Sequence, residues 1–253
     1  MKQENIKLRK LLLSLLLVLC LVFSMTACGT NSAEQQDADN ADEAAVDMPD
    51  DPNINPDTAQ YWAEILGKYR FDDNVNQLLL VRYTGGCSAV AQYFVKSDYN
   101  SAWELEFESI ADVGKHGIDK TKEGDAKAPT MDLGIVTAFG LLPNPGTAFD
   151  YIDIKETTYA CDEDCEYYNQ IIDIEETGHE CTGEAMYDYS PQYNYGLATD
   201  YNSKNVYPNG SAIFIHVKGV KGYTGGCIAL DQDDMETILK TAEPGMRVVI
   251  GQK

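Results

Sequence analysis

Positive charge is what this chain has least of. Its 253 residues carry 19 Lys and Arg against 41 Asp and Glu, a net charge of −22. A phosphate backbone needs a basic face, so no nucleic-acid partner is expected. Between Gly29 and Asp57 there is no Lys or Arg, and almost nothing that can pack. That stretch of Asp, Glu, Asn, Ala and Pro reads as a solvated acidic tether. Long apolar runs are scarce too. The stretch from Leu11 to Phe23 falls short of the ~20 residues of a comfortable membrane span and suits a secretory signal instead. Lys120 to Lys127 lacks the GxxxxGK[ST] order, which excludes a phosphate loop. Apolar content is not lacking: 44% hydrophobic and 10% aromatic residues exclude wholesale disorder.

The beginning of the chain is informative. Lys2, Lys7, Arg9 and Lys10 precede the apolar stretch, which closes on Met25-Thr26-Ala27-Cys28-Gly29. Small residues before a cysteine at this place resemble a bacterial lipobox. Residues 1–27 are then a lipoprotein signal peptide, Cys28 is lipidated and begins the mature chain, and 28–57 is the tether. The expected location is extracytoplasmic, held to the membrane through the N-terminal lipid. The alternative is an ordinary signal peptide or an uncleaved anchor with an incidental cysteine.

A short helical lead-in is expected over 58–73. Asn55 would cap it, Pro56 suits its first turn, and Tyr61, Trp62, Ile65 and Leu66 give an apolar face before Gly67. Beyond it the pattern changes to strands. Leu78–Tyr83 and Ser88–Val95 flank a Gly-rich turn and read as a hairpin. Trp103–Ile110 alternates Trp103, Leu105 and Phe107 with glutamates, the mark of a half-buried strand. Strands are also expected around 135–139, 195–201, 211–217 and 246–250. Asp231–Ala242 reads as a helix with Asp231 as cap and Met235, Ile238 and Leu239 on one face. One β-rich domain over 74–253 is the simplest account, with an inserted Cys-containing segment near 155–185.

Apart from Cys20 and Cys28, five cysteines remain: Cys87, Cys161, Cys165, Cys181 and Cys227. Five is odd, so in an exported chain at least one thiol lacks an intramolecular partner. Cys87 and Cys227 end the identical strings Tyr83-Thr84-Gly85-Gly86-Cys87 and Tyr223-Thr224-Gly225-Gly226-Cys227. Only Cys227 has a histidine upstream, His216, at the end of an apolar strand-like run. A strand would place His216 on one face with Ala212 and Phe214, and the turn through Lys218–Gly222 is long enough to bring imidazole and thiol together. An imidazole can accept the proton of a cysteine nucleophile, and glycines let backbone N–H groups approach an oxyanion. On spacing alone, a buried thiol beside a packed strand histidine explains the pair equally well. Cys87 reads as a small buried residue at a hairpin turn.

The flanks add a resemblance. Gly210-Ser211-Ala212-Ile213-Phe214-Ile215-His216 with Tyr223-Thr224-Gly225-Gly226-Cys227-Ile228-Ala229-Leu230 resembles the catalytic motif of the L,D-transpeptidase (YkuD-type) family, a strand-borne His followed by Ser/Thr-His-Gly-Cys. Gly117–Thr130, with Lys120-Thr121-Lys122-Glu123-Gly124-Asp125, resembles the family's Lys-Thr-x-Glu-Gly-Asp segment. Ala138-Phe139-Gly140 and Pro143-Asn144-Pro145-Gly146 fit a branch of it. The resemblance implies a mainly β fold, a β-sandwich with mixed sheets and a few short helices. It implies Cys227 as nucleophile, His216 as general base, and the N–H groups of Gly226 and Cys227 as the oxyanion hole. The substrate implied is a peptidoglycan stem peptide, with D-alanine leaving, a thioester forming and an amine acceptor resolving it into a cross-link. Resolution by water would make the protein an L,D-carboxypeptidase. No metal or organic cofactor is implied.

Gly225 stands where many members have a second histidine and Ala229 where many have an arginine, and the His-to-Cys interval is short. These departures support the rival reading, a catalytically silent wall-binding lipoprotein of the same fold.

Cys161-x-x-x-Cys165 and His179-Glu180-Cys181 offer three thiols and an imidazole, the donor set of a tetrahedral zinc site, in a spacing that matches no standard finger. In an acidic, exported insertion a loop-bracing disulfide among Cys161, Cys165 and Cys181 is expected ahead of free thiols, and zinc last. His116 reads as a loop residue. Tyr187, Tyr189, Tyr193, Tyr195 and Tyr201 are expected either to line a cleft or to pack the core.

Overall fold

The computed structural model describes residues 56–98 and 100–252. The signal peptide, Cys28, the tether up to residue 55 and the Asn55 cap lie outside the described residues. Helix α1 (Pro56–Tyr69) runs past Gly67 rather than stopping there. Its end is held from outside: Lys68 and Tyr69 both bond the Asp132 carboxylate, which also takes Arg247 at 2.8 Å. The buried Lys96 ammonium caps the carbonyls that follow, reaching Tyr69 O at 2.8 Å, Arg70 O at 2.9 Å and Asp72 O at 2.7 Å.

The strands are β1 (Gln77–Gly85), β2 (Ser88–Val95), β3 (Glu104–Asp112), β4 (Asp132–Gly140), β5 (Tyr151–Asp153), β6 (Thr158–Ala160), β7 (Ile171–Asp173), β8 (Glu184–Ala185), β9 (Gly196–Thr199), β10 (Phe214–Val217), β11 (Ile228–Leu230) and β12 (Arg247–Gly251). Two further helices are α2 (Ile174–Thr177) and α3 (Gln232–Thr241). The large mixed sheet has the order β12-β1-β2-β3-β11-β10-β9-β4-β5, and β12 also pairs with β4, so the sheet closes on itself. A second sheet, β7-β6-β8, is small. The fold is mainly β with few short helices, as expected.

β1 shows why its run of leucines is continuous. Leu79 and Val81 join the interior of the closed sheet, while Leu78 and Leu80 pack with Trp62 and Leu66 of α1 and with Phe94 of β2. A strand buried on both faces has no polar side to alternate with. The interior also takes Met235, Ile238 and Leu239 of α3, the face read from the sequence. Asp231 is at the cap position of α3, but its carboxylate pairs with Lys218 at 3.2 Å and makes no side-chain cap bond.

Two strands differ from expectation. In β3, Leu105 is 39% exposed and Ile110 56% exposed; the buried side chains are Trp103, just ahead of the strand, and Ala111. The register shifts between Tyr93 and Phe94 of β2, so one bulged position undoes the alternation read from the sequence. β10 begins only at Phe214, because Ala212 sits in the left-handed region at φ 49° and cannot continue a ladder. Ala212 therefore does not share a strand face with His216.

Candidate active site

His216 and Cys227 come together through strand register. β10 and β11 run parallel with His216 beside Ala229, and Cys227 stands just before β11. Both line one cavity of ≈ 260 Å³, together with Lys120, Glu184, Tyr193 and Lys221. Each is largely buried.

The imidazole is oriented by its own strand. Nδ1 lies 2.8 Å from Val217 O, a carbonyl that can only accept, so Nδ1 carries the proton and Nε2 is left as the acceptor. The Tyr193 ring meets the imidazole edge to face at 5.6 Å and fixes its plane. Burial pulls the His216 pKa down to about 4, with the Val217 bond opposing it. Burial likewise pushes the Cys227 thiol up to about 12, against the Phe214 amide, which donates to Sγ at 3.3 Å. Both groups are neutral at pH 7. This is a neutral thiol and a neutral imidazole lining one cavity, and not a standing thiolate–imidazolium pair. The thiol donates to Ala212 O at 3.2 Å, and among the described contacts no hydrogen bond joins it to His216. Catalytic bonds of this type are often loose before substrate binds.

The Tyr-Thr-Gly-Gly-Cys loop is built around Thr224. Its backbone bonds Val113 O and the Lys115 amide, and its hydroxyl donates to Cys227 O at 2.7 Å. The same hydroxyl accepts the Gly226 amide at 3.1 Å. That amide, expected at the oxyanion hole, is therefore engaged elsewhere in this state. Gly226 has φ 148°, and a Cβ there would meet Lys127 O at 2.7 Å, so glycine is required. Gly225 has open space around its Cα and is not sterically required.

The Lys120–Asp125 segment forms the opposite wall. Asp125 is pushed up by burial but pulled down further by the Thr121, Lys122 and Lys127 amides and by Lys120, and settles at about 2. Lys120 Nζ is 3.1 Å from Asp125 Oδ1, and both side chains are buried. Glu123 accepts Tyr168 Oη at 2.6 Å and Ser211 Oγ at 2.7 Å, tying this wall to the strand that leads to His216.

The YkuD family model, an L,D-transpeptidase catalytic domain, matches residues 92–250. The chain belongs to this family. Within the L,D-transpeptidase frame, β3 to β11 and every cavity residue named above fall inside the matched region, which begins within β2 and ends within β12, while α1 and β1 precede it. Two crystal structures of Pgp2, a helical cell shape determining protein from Campylobacter jejuni, are similar. One is 18% identical, with 77% of this chain and 54% of that chain covered and a TM-score of 0.41. The other is 16% identical, with 75% and 55% covered and a TM-score of 0.37. The chain thus spans about half the length of these structures. No curated protein matches it.

Several cavity residues gave no signal in the sequence. Glu184 bonds Tyr193 Oη, and burial first, then Asp162, raises its pKa against that bond. The pairing joins two segments that have no shared motif, and only the fold brings them together. The tyrosine group divides: Tyr189 and Tyr193 line the cavity, and Tyr195 and Tyr201 pack against the core. His116 is an exposed loop residue with Nδ1 3.0 Å from Asp125 O.

Cys161, Cys165 and Cys181 are thiols here, with Cys161 Sγ and Cys165 Sγ 3.4 Å apart. That is well beyond the ~2.05 Å of a disulfide bond.

Proposed function

We propose that this protein is a cysteine L,D-transpeptidase that forms a thioester between Cys227 and a peptidoglycan stem peptide. The observation that carries this reading is that His216 on β10 and Cys227, just before the neighbouring β11, line one cavity, with His216 Nε2 left as acceptor. As substrate enters, the thiol gives up its bond to Ala212 O. Its proton passes to His216 Nε2 while Sγ bonds the carbonyl carbon of the amide before D-alanine. Collapse breaks the C–N bond, and the imidazolium returns that proton to the departing D-alanine nitrogen. An acceptor amine then attacks the thioester, gives a proton to His216, and leaves the thiol restored. An oxyanion role for Gly226 requires its amide to turn from Thr224 Oγ1 during these steps.

The cavity suits ligands that carry both charges. Glu123, Asp162 and Glu184 line it and favour an ammonium acceptor, while Lys221 at its lip offers a cation to a stem carboxylate in place of the arginine absent at Ala229. An extracytoplasmic position through lipid on Cys28 would bring the domain to this substrate.

Incubation with tetrapeptide stems and an amine acceptor, followed by mass spectrometry, tests the reading. Release of D-alanine with a cross-linked product is expected, together with an acyl adduct on Cys227 after carbapenem treatment. D-alanine release without transfer would make the protein an L,D-carboxypeptidase. Neither release nor adduct would leave a non-catalytic wall-binding protein.

A further inference from the structure

Away from the cavity's chemistry, the segment around 155–185 raises a question of size. Its sheet has three strands of two or three residues, and its apolar cluster is only Cys161, Ile172 and Cys181 with a few partly buried neighbours. Ala160 and Ile171 anchor the sheet on Phe139, Tyr193 and Phe214, but its outer end around Cys161 and Cys181 has little apolar burial, and a staple adds most there. We propose that Cys161, Cys165, Cys181 and His179 bind one Zn(II) ion in a tetrahedral site. The ion then fixes the wall of the cavity that carries Asp162 and Glu184.

Three of the donor atoms are already gathered, and Cys165 Sγ lies against two of them. Cys161 Sγ is 3.4 Å from Cys165 Sγ, and Cys165 Sγ is 3.5 Å from His179 Nε2. The ligand atoms of Cys161, His179 and Cys181 all lie within 4.8 Å of one another. A tetrahedral zinc with Zn–S of about 2.3 Å and Zn–N of about 2.0 Å separates its ligands by about 3.5–3.8 Å, so the set is completed when Cys165 and Cys181 draw together on the ion. Three sulfurs and one imidazole are soft, tetrahedral donors, a set that selects zinc over calcium or magnesium.

Backbone amides supply the second argument. The Tyr167 amide donates to Cys165 Sγ at 3.4 Å and the Gly183 amide to Cys181 Sγ at 3.3 Å. Cys165 and Cys181 thus each receive the N–H two residues further along the chain. Such donors stabilise sulfur in its anionic, metal-binding form, and they have no comparable use in a disulfide. Gly183 is part of this arrangement: a Cβ there would meet Ala160 O at 2.6 Å and Cys181 Sγ at 3.1 Å, so only glycine lets the loop close over the sulfur. Thr182 takes Glu163 Oε1, and Glu163 Oε2, 3.9 Å from His179 Nε2, stands as an outer partner of the imidazole that is the fourth donor. Tyr167 packs on the His179 ring at 5.0 Å.

The site ties down what lines the cavity. Cys161 follows the end of β6 and Cys181 precedes β8, and Ala160 pairs with Glu184 in that sheet. Binding zinc displaces the protons of the three thiols, leaving a complex of net charge −1. None of the four ligands belongs to the acyl-transfer site, so this inference stands apart from the proposed function.

The test uses the full-length chain, solubilised in detergent and purified without chelator. One zinc per chain by elemental mass spectrometry is expected. Replacement by Co(II) should give the strong visible bands of tetrahedral cobalt with a thiolate-to-cobalt charge-transfer band, a readout that needs no variant. Cys165→Ser and His179→Ala should each weaken Co(II) binding by more than about tenfold, while Cys87→Ser keeps it. Three results would overturn the proposal. They are no stoichiometric metal after reduction and addition of zinc, an octahedral cobalt spectrum, or a native chain in which two of Cys161, Cys165 and Cys181 are joined as a disulfide.

Discussion

The loops ending in Cys87 and Cys227 spell the same five residues and flank the same stretch of chain. The Val113 amide bonds Cys87 O, while Val113 O takes the Thr224 amide. Cys87 Sγ donates to Lys115 O at 3.5 Å, and the Lys115 amide bonds Thr224 O. Yet the two loops are built differently. The first is a hairpin turn in which Gly85 and Gly86 both need positive φ, 121° and 61°, with open space around each. The second links parallel strands, Gly225 is sterically free, and only Gly226 is indispensable. A string of five residues therefore does not determine a site. What its strands pair with, and whether a histidine stands on the neighbouring strand, decides the chemistry.

This contrast can be broken by experiment, the largest effect first. Cys227→Ala should lower D-alanine release from tetrapeptide stems by at least about 10³-fold, and Cys87→Ala by less than about twofold. Equal losses would erase the distinction between the loops.

His216 gives the next effect. Its folded pKa of about 4 lies below the ordinary 6.5, so between these values the unfolded chain takes up a proton that the folded chain refuses. Its contribution to stability is therefore lost as pH falls from 6.5 to 4, by roughly 3 kcal/mol in all. Urea unfolding of His216→Gln across this range should show a shallower pH dependence than the parent. An unchanged slope would mean that the imidazole is not held neutral.

Glycine substitutions separate the loops by steric demand. Gly226→Ala should cost more than about 2 kcal/mol, because a disfavoured backbone region and a carbonyl contact add together. Gly86→Ala should cost about 1 kcal/mol from backbone conformation alone. Thermal unfolding reads both. The smallest contrast is between the threonines. Thr224→Val loses two buried hydrogen bonds and should cost about 1–2 kcal/mol, whereas Thr84→Val loses one exposed bond to Ser88 O and should cost under about 1 kcal/mol.

Much of this was legible in the sequence where the signal was local. The β1–β2 hairpin announced itself by a glycine turn between apolar runs, and α3 by Met235, Ile238 and Leu239 at helical spacing. The family motif singled out His216 and Cys227, and both line one cavity. The signal failed where distant chain segments decide the outcome. β3 alternates in sequence, but a bulge against β2 turns Leu105 outward. Ala212 adopts a left-handed conformation without being glycine, held by Asn169 Oδ1 on its amide at 3.0 Å. The Gly226 amide looked available until Thr224 Oγ1 was placed beside it. The approach of Cys161, His179 and Cys181, with Cys165 beside the first two, depends on how two loops fold back on one small sheet, which spacing alone does not encode.

The closure of the large sheet has a kinetic consequence. β12 is held on one side by β1, with Leu78 beside Arg247, and on the other by β4, with Leu133 beside Val248. These partners are far apart along the chain, and such pairings repay the entropy of closing a long loop only after it has been spent. Folding should therefore be slow and cooperative, with the seam sealing late. Until it does, the interior that backs β10 and β11 is open, and His216 and Cys227 have no fixed relation. A partly folded chain would expose sulfur without presenting a working nucleophile, so activity should return no sooner than the final phase of refolding.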